Sequence, residues 1–286
     1  MAKHIDHLVW ALRDFESRVH QLKGLGFQIS PLALHPFGTG NQLLLFERSY
    51  IELLTILDES QLPPAKEHEF SFAAFNKEYL QTRQGISMIA LATTDAEADY
   101  QHFLQAGLEC SPPFYFSRLA PLPNGQKTEV AFTICFVRSP QLLDLPFFVC
   151  QHHHPEQVFH PGYQQHENRV GAWREISIVL DKPIQHYSFF EKLFPTAQFS
   201  EKAGQLYLHT EREHIRLIDL PTYQSLFPFQ TSFNQSPFIG HIKWEGFNRG
   251  FPSDLSAKSD FSMIKKSGSY YLLPPSQGEP ILEFTS

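Results

Sequence analysis

Two polar residues stand in stretches of sequence that are otherwise apolar. His7 lies inside the alternating segment HIDHLVWALRDF, and Glu52 lies inside SYIELLTI. Burying a lone carboxylate is costly unless it is paired or neutral, and a buried imidazole also needs a partner. A divalent metal ion meets both needs, because it binds a neutral imidazole nitrogen and an ionised carboxylate oxygen. The pair therefore predicts a metal site; the alternative is two separately satisfied core residues.

A glycine-rich segment, HPFGTGN, begins at His35. Gly38 and Gly40 permit a close approach of the backbone, while His35, Thr39 and Asn41 offer polar groups to a ligand. The segment predicts either a loop that lines a substrate site or a plain connection between strands.

Other signatures of chemistry are absent from the sequence. The chain contains no G-x-S-x-G, no glycine-rich phosphate loop and no H-E-x-x-H. Strict alternation along the first strand places His4 and Asp6 on the face opposite His7, so we expect no catalytic triad there.

These residues must be positioned by an element pattern that recurs four times, a strand and a helix followed by further strands. Asp14, Asp95 and Asp181 end the first strands of three units and are predicted to cap the helices. In chain order, the predicted strands and helices of the four units are strand 5–12, helix 15–24, strands 41–47 and 50–57; strand 85–95, helix 96–107, strands 128–137 and 145–151; strand 174–183, helix 184–194, strands 204–210 and 214–220; and strand 238–247, helix 259–267, strands 269–274 and 280–286.

The predicted fold class is α+β, with tandem β-α-β-β-β units paired into two domains that have concave mixed sheets. Residues 1–152 form the N-terminal domain, from units 1–60 and 83–152, and carry the candidate site. The polar, Pro- and His-rich stretch 153–171 is predicted as a linker. Residues 172–286 form a degenerate C-terminal copy.

Composition excludes several classes of protein. The net charge is −7 and is dispersed, which is not the footprint of a nucleic-acid-binding protein. Three cysteines without a CxxC motif favour neither a disulfide framework nor a structural zinc site. No apolar run is long enough to span a membrane, and no leader is evident, so we expect a cytoplasmic protein. The 27 phenylalanines indicate an aromatic-lined interior.

Several segments together resemble glyoxalase-like domain proteins of the vicinal oxygen chelate superfamily, which includes glyoxalase I and extradiol dioxygenases. They are IDHLVWALRDFE, LKGLGFQISPLALHPFGTGNQLLLFERSYIELLTI, LPFFVCQ, QHENRVGAWREISIVLDKP and PILEF. The resemblance is closest over 4–58 and extends over 83–183. It implies paired units around a cup and a divalent metal (zinc, nickel, manganese or iron) that chelates adjacent substrate oxygens. His7 and Glu52 fall on the ligand positions of that superfamily.

The second unit departs from this pattern, because Met88 and Phe148 stand where its two ligands belong. Open positions suit a catalytic metal, so a site with two or three protein ligands is still expected. The candidates for a further ligand are His35, Gln151, His152 and His153. The residues expected to bind substrate are His35, Thr39, Asn41, Phe148 and Gln151.

The second half of the chain has no complete set of ligands. Arg174 and Arg216 stand at the ligand positions of the third unit. The fourth unit has His241 and Glu283, for which a structural role is favoured. The triplet HHH that starts at His152 is expected to be mostly a solvated linker, because adjacent strand residues point to opposite faces.

The resulting hypothesis is a metal-dependent glyoxalase-like enzyme, of the lyase or isomerase type, that acts on a small oxygenated metabolite. Glu52 or His35 would move the proton. An extradiol-type dioxygenase is the second enzymatic interpretation, and a non-catalytic protein that binds small molecules is the third. We expect a monomer or homodimer, with neither nucleic acid nor membrane as a partner.

Overall fold

The computed structural model describes residues 3–63, 70–229, 235–245, 261–274 and 276–285. None of the helices in these ranges is long and apolar enough to cross a membrane.

The chain divides into two compact units. Ile5–Glu167 form one, and Asn168–Ser286 with Met1–His4 form the other. Each unit is built on one curled mixed sheet with few helices, and the strand order shows two paired modules in each sheet. This confirms the predicted α+β class. Residues 153–167 of the predicted linker group with the first unit.

In the N-terminal unit, most predicted elements are present within a few residues of their expected bounds. The strands and helices are β1 Ile5–Ala11, α1 Phe15–Gly24, β2 Ala33–Leu34, β3 Thr39–Leu45, β4 Tyr50–Ile56, α2 Phe72–Thr82, β5 Gly85–Thr93, α3 Ala96–Gln105, β6 Glu109–Cys110, β7 Phe114–Pro121, β8 Lys127–Arg138, β9 Phe147–His152 and α4 Pro155–Val158.

The opening strands of the two modules lie side by side at the centre of this sheet. The order is β2, β3, β4, β1, β5, β9, β8, β6, and β7 pairs with β8. β1 is parallel to β4 and antiparallel to β5, and β5 is parallel to β9. The strands that carry His7 and Glu52 are therefore neighbours, which is the condition that the sequence interpretation required.

β2, α2, β6, β7 and α4 were not predicted, and two of them, α2 and β7, contribute to the cavity described below. Helix α2 begins after Ser71, whose hydroxyl accepts a hydrogen bond from the Ala74 amide at 3.3 Å. Strand β7 pairs with β8 along its whole length. Its half-exposed residues lack the clean apolar alternation that marks a strand in sequence.

The C-terminal unit repeats the arrangement, with sheet order β11, β12, β13, β10, β14, β17, β16, β15. Its strands and helices are β10 Trp173–Val179, α5 Tyr187–Leu193, β11 Gln198–Lys202, β12 Gln205–His209, β13 His214–Ile218, α6 Leu220–Leu226, β14 Phe238–Trp244, β15 Ser262–Lys266, β16 Ser269–Leu273 and β17 Ile281–Phe284.

The helix predicted at 259–267 is wrong over the residues that the structure describes. Ser262–Lys266 form strand β15, which pairs antiparallel with β16. The turn between them is Ser267–Gly268, and both residues have positive φ. Such two-residue turns match the twist of a hairpin and do not continue a helix. Residues 259 and 260 lie outside the described residues.

The predicted helix caps are present in one case of three. The Asp95 carboxylate accepts a hydrogen bond from the Ala98 amide at 2.9 Å at the start of α3. The Asp14 side chain makes no such bond to α1. Beyond Asp181 the chain first passes through Lys182, which has positive φ, into a short 3-10 turn, so the Asp181 side chain does not cap α5.

His166 fixes the predicted linker stretch to the N-terminal sheet. Its Nδ1 accepts a hydrogen bond from the Gln28 amide at 3.0 Å, and its Nε2 lies 2.9 Å from the Leu45 carbonyl oxygen, to which it donates. The ring also packs edge-on against Phe27 and Phe46. Burial lowers the pKa of His166, although the bond to the Leu45 carbonyl opposes the shift. His166 is therefore neutral in the fold.

We expect His166→Ala to lower the free energy of unfolding by about 1–3 kcal/mol at neutral pH, because two backbone groups lose their partner. A folded pKa below the unfolded value of about 6.5 means that the unfolded chain takes up more protons as pH falls below that value. The stability that His166 confers should therefore shrink from about pH 7.5 to about pH 5. Urea denaturation at both pH values tests this, with the exposed His20→Ala as control. A wild-type advantage that grows toward acid pH would contradict it.

Candidate functional site

A small cavity of about 40 Å³ opens on one face of the N-terminal sheet. Its walls are mostly aromatic, with contributions from β7, β8, β9 and helix α2. The polar residues that line it are His7, His35, Asn41, Tyr50, Glu52, Arg118 and Cys150. The cavity therefore contains the predicted pair and part of the glycine-rich segment.

A β-bulge positions the first of these residues. Between β1 and β5, Ile5 is opposite Leu91 but His7 is opposite Ala90, so Asp6 is an extra residue in β1. A bulge re-aims side chains that strict alternation would separate. The Asp6 carboxylate consequently lies 2.7 Å from His7 Nδ1, contrary to the expectation that the two residues occupy opposite faces.

The Asp6 carboxylate joins two histidines. Its Oδ2 accepts from His7 Nδ1 at 2.7 Å and from His152 Nε2 at 2.9 Å. Burial by itself would raise the pKa of the Asp6 carboxyl. The charge and hydrogen bond of His152 and the hydrogen bond of His7 overcome this and hold the pKa well below its usual range. Asp6 is therefore a buried anion that fixes the His7 ring, with Nε2 directed away from it.

Glu52 lies at the meeting point of three side chains. Its Oε1 accepts a hydrogen bond from Asn41 Nδ2 at 2.5 Å and lies 3.5 Å from His35 Nε2. Its Oε2 lies 3.8 Å from His7 Nε2. The ring of Tyr50, on the same strand, stacks on His7 with 4.3 Å between centroids. The structure thus brings together the two residues that the sequence paired.

The protonation of His35 follows from its contacts. Asn41 Nδ2 lies 3.1 Å from His35 Nε2, so this nitrogen accepts, and Nδ1 donates to Thr39 Oγ1 at 2.7 Å. Burial, then the charges of Arg118 and His7, lower the pKa of His35 well below its usual value. His35 is a neutral imidazole with its lone pair on the nitrogen nearest Glu52.

The contact of His7 with Glu52 has the spacing of two ligands of one divalent metal. His7 Nε2 and Glu52 Oε2 face each other at 3.8 Å, which is too long for a hydrogen bond. His7 Nδ1 is bonded to Asp6, so Nε2 is the ring nitrogen that faces Glu52 and could bind a metal. Ligand atoms about 2.0–2.2 Å from a tetrahedral ion are separated by about 3.3–3.6 Å. A carboxylate behind a histidine is also the usual support of a metal-bound imidazole. The pair fits a metal with two protein ligands.

A second group of potential ligands lies next to the first. Ligand-type atoms of Asp6, His7 and Cys150 lie within 4.8 Å of one another, and all three residues are buried. Asp6, however, already accepts two hydrogen bonds. Burial, reinforced by the charges of Asp6 and Glu52, raises the pKa of the Cys150 thiol well above its usual range. We therefore favour His7 and Glu52 as the primary pair.

The other predicted residues lie in different surroundings. Phe148 lines the cavity, with its ring edge-on to His7. Thr39 contacts the cavity only through His35. The Gln151 side chain accepts from the Ala96 amide at the start of α3. His153 is exposed and lies 2.8 Å from Thr133 Oγ1. His152 reaches the site through Asp6.

Arg118 is a residue of the site that the sequence interpretation missed. It lies on β7 and lines the cavity. Its Nε and Nη1 atoms are buried and make no hydrogen bond within the described residues. The sequence signal was weak: one arginine in an aromatic stretch, FYFSRLAP, that was not assigned to a strand. Asp6, by contrast, was visible beside His7 but was assigned to the wrong face.

The register of the C-terminal sheet identifies its equivalents of the predicted pair. Arg216 holds the position of Glu52 relative to the first strand of its module. The matching bulge puts Glu175, rather than the predicted Arg174, at the position of His7. Arg216 Nη2 and Glu175 Oε1 form an ion pair at 2.7 Å. A salt bridge therefore takes the place of the His–Glu pair.

The same register places His241 and Glu283 at the positions of Met88 and Phe148. Each sheet thus carries one His–Glu pair, in its first module in the N-terminal unit and in its second module in the C-terminal unit. His241 Nε2 and Glu283 Oε2 are hydrogen-bonded directly at 2.8 Å. The Arg216 guanidinium lies 3.3 Å from His241 Nδ1. These contacts leave no gap like that between His7 and Glu52.

Comparisons with known proteins agree with this architecture. A family model of a glyoxalase-like domain matches residues 5–194. No curated protein matches the chain. Among solved structures, a hypothetical protein from Staphylococcus aureus is 15% identical, with a TM-score of 0.71 over 99% of this chain and 98% of its own.

Two solved structures with enzyme names are also similar. A mutant of 4-hydroxymandelate synthase from Streptomyces coelicolor is 12% identical, with a TM-score of 0.54 over 99% of this chain and 92% of its own. A fusion of a xylose isomerase-like TIM barrel with 4-hydroxyphenylpyruvate dioxygenase is 13% identical, with a TM-score of 0.55 over 99% of this chain and 49% of the fusion. At these identities the likeness shows the fold alone.

Proposed function

The chain belongs to the glyoxalase-like domain family of the vicinal oxygen chelate superfamily, and on that premise we propose that it is a metal-dependent lyase or isomerase. Its substrate is a small oxygenated metabolite that occupies the aromatic cavity of the N-terminal unit. His7 and Glu52 hold a divalent ion, which is zinc, nickel, manganese or iron.

One observation carries this proposal. His7 Nε2 and Glu52 Oε2 face each other at 3.8 Å, while the buried Asp6 carboxylate binds the Nδ1 side of the same ring. In the tautomer with its proton on Nδ1, His7 presents the Nε2 lone pair, and a divalent ion can bind that nitrogen together with the Glu52 carboxylate. A divalent ion bound there supplies Lewis-acid polarisation of adjacent substrate oxygens.

Proton transfer belongs to His35 and Glu52 in this proposal. The Thr39 contact fixes the Nδ1 proton of His35, so Nε2 is the atom that accepts a proton from the substrate. In the free protein Asn41 Nδ2 donates a hydrogen bond to His35 Nε2 at 3.1 Å. The substrate proton would replace this hydrogen bond. Glu52, 3.5 Å away, stabilises the imidazolium that forms.

A dioxygenase is the second candidate, and the position of His35 favours it. His35 Nε2 lies 3.5 Å from Glu52, so His7, His35 and Glu52 approach the two-histidine, one-carboxylate set of ferrous oxygenases. Two structurally similar proteins carry dioxygenase or synthase names. Oxygen consumption by the iron-loaded protein would separate this reaction from an isomerisation. A binding protein without catalysis is the third candidate, and it predicts no metal.

Metal content tests the proposal directly. Protein is stripped with a chelator, desalted, loaded with each of the four metals and analysed by inductively coupled plasma mass spectrometry. We expect about one ion per chain in the wild type and less than about a tenth of that in the His7→Ala/Glu52→Ala double variant. The exposed His153→Ala should bind like the wild type.

Cys150→Ser separates the two possible ligand groups. If His7 and Glu52 are the ligands, this variant keeps its metal. Loss of metal in Cys150→Ser with retention in Glu52→Ala would assign the ion to the neighbouring group. A wild type that takes up no metal under any loading condition would end the metal-dependent proposal and leave the binding-protein interpretation.

A further inference from the structure

We propose that Arg118 binds a carboxylate of the substrate, so that the cavity is specific for a small organic acid with an apolar body. This inference rests on the proposed function, because it takes the cavity to be the substrate site. It adds the substrate class and a specificity-determining residue that neither the family match nor the sequence motifs assign.

The Arg118 side chain has N–H donors that find no acceptor among the described residues. Its Nε and Nη1 atoms are buried and have no hydrogen-bond partner within the described part of the chain. A guanidinium stays charged in proteins and has five N–H donors. A buried cation without a partner is costly to the fold. A ligand with an acceptor group would satisfy the free N–H donors of Arg118 and remove this cost.

Glu52 lies near Arg118 but forms no ion pair with it within the described residues. Burial lowers the pKa of Arg118, and the charge of Glu52 opposes this shift. Among the described residues, however, no carboxylate oxygen comes within salt-bridge distance of the guanidinium. Glu52 is already bonded to Asn41. The two charges thus lie in one cavity, and the fold leaves Arg118 available for another anion.

The anion that best suits Arg118 is a carboxylate. A guanidinium forms short, charge-assisted hydrogen bonds to a planar carboxylate, often two at once. A phosphate dianion is normally held by several donors, such as lysines or a helix N-terminus. Among the described residues no lysine lines this cavity, and five phenylalanines contribute to its wall. One arginine among mainly apolar lining residues suits a monocarboxylate better than a phosphate.

A buried acceptor on Asn41 indicates how the acid would be oriented. Within the described part of the chain the Asn41 Oδ1 atom is also buried without a partner, while the amide nitrogen of the same side chain contacts both Glu52 and His35. This oxygen can only accept. A hydroxyl on the substrate would donate to it beside the proposed metal ligands. The combination of one unmet cation and one unmet acceptor indicates a hydroxy acid with an apolar tail.

Isothermal titration calorimetry on the metal-stripped, desalted protein in a carboxylate-free buffer tests the inference. The probes are 3-phenylpropionate, its uncharged analogue 3-phenylpropionamide, 3-phenyllactate and phenyl phosphate. We expect the wild type to bind the acid at least about tenfold more tightly than the amide or the phosphate. 3-Phenyllactate should bind severalfold more tightly than 3-phenylpropionate.

Three variants locate the effect. Arg118→Met should weaken binding of the acid about tenfold to a hundredfold and leave binding of the amide unchanged. Arg118→Lys should be intermediate, because it keeps the charge but not the planar fork. Arg48→Met, at an exposed turn, should bind like the wild type. Arg118→Met should also melt no lower than the wild type, since it removes an unpaired buried charge.

Several outcomes would overturn the inference. They are equal affinity for acid and amide, unchanged acid binding in Arg118→Met, preference for phenyl phosphate, or no binding of either acid by the wild type at about 10 mM. The metal proposal fails independently of these results. If no metal binds but the acid still binds through Arg118, the substrate class stands and the metal chemistry falls. If metal binds but Arg118 is irrelevant, the reverse holds.

Discussion

Replacing Asp6 by alanine is expected to lower the free energy of unfolding of the N-terminal unit by about 3–5 kcal/mol. Asp6 lies in the bulge of β1, and its Oδ2 accepts hydrogen bonds from His7 and His152. The variant leaves two buried ring nitrogens without an acceptor, and each such loss carries a desolvation cost of about 1–3 kcal/mol. The His7 ring, no longer fixed, also loses its orientation toward Glu52.

Hydrogen-exchange mass spectrometry in increasing urea measures this effect in each unit separately. Peptides of β1, β4 and β5 should lose protection at lower urea in Asp6→Ala, whereas peptides of β10 and β13 serve as an internal control. Asp95→Ala is the matched variant, because it removes an aspartate that accepts one hydrogen bond at the start of α3 and should cost only about 1 kcal/mol. An effect of Asp6→Ala no larger than that of Asp95→Ala would contradict the bridging role.

Asp6→Asn separates the charge from the hydrogen bonds. Asparagine retains one acceptor oxygen but not the negative charge, which His152 and His7 stabilise against burial and so hold the pKa of Asp6 below its usual range. We expect an intermediate loss of stability together with weaker metal binding by about 10–100-fold, the usual effect of removing the carboxylate behind a metal-bound histidine. Weakened metal binding at preserved stability would assign Asp6 to the site rather than to the fold.

The paired units, the sheets and the convergence of His7 with Glu52 could all be predicted from sequence. They depend on apolar alternation and on the recurrence of one supersecondary pattern, which a single sequence displays. The place of Asp6 could not be predicted, because a bulge leaves no mark in the alternation pattern of β1 itself. It is visible only in the pairing of β1 with β5.

Arg118 and the C-terminal equivalents of the site could not be predicted from sequence, for a related reason. Arg118 is on a strand whose residues are neither alternately apolar nor buried, so its neighbours cannot be inferred from its own segment. In the third module, a one-residue shift in alignment selected Arg174 where the register has Glu175. In a strand a shift of one residue moves every side chain to the other face. Site residues on strands therefore require the register as well as the motif.

A substitution at Gly38, in the glycine-rich segment, is the second change from which we expect a large loss of stability. Its φ is +79°, and a Cβ added there would lie 2.4 Å from the backbone oxygen of Asp58. The Gly38 carbonyl also accepts the amides of Leu57 and Asp58, both at 3.0 Å. Backbone cannot yield as a flexible side chain can, so any larger residue must displace the segment that holds His35. We expect Gly38→Ala to cost about 2–4 kcal/mol of unfolding free energy.

Gly125→Ala is the control that isolates the contact from the backbone strain. Gly125 has nearly the same φ, +82°, but an added Cβ there would meet nothing within 4 Å. Left-handed strain alone should cost this variant about 1 kcal/mol. Urea denaturation of both variants gives the two losses, and exchange of the Leu57 and Asp58 amides reports the local displacement. Equal losses in the two variants would mean that the close approach to Asp58 is relieved at no cost. A larger loss in Gly38→Ala, with faster exchange at those two amides and weaker metal binding, would show that the closeness of this backbone contact holds His35 beside Glu52.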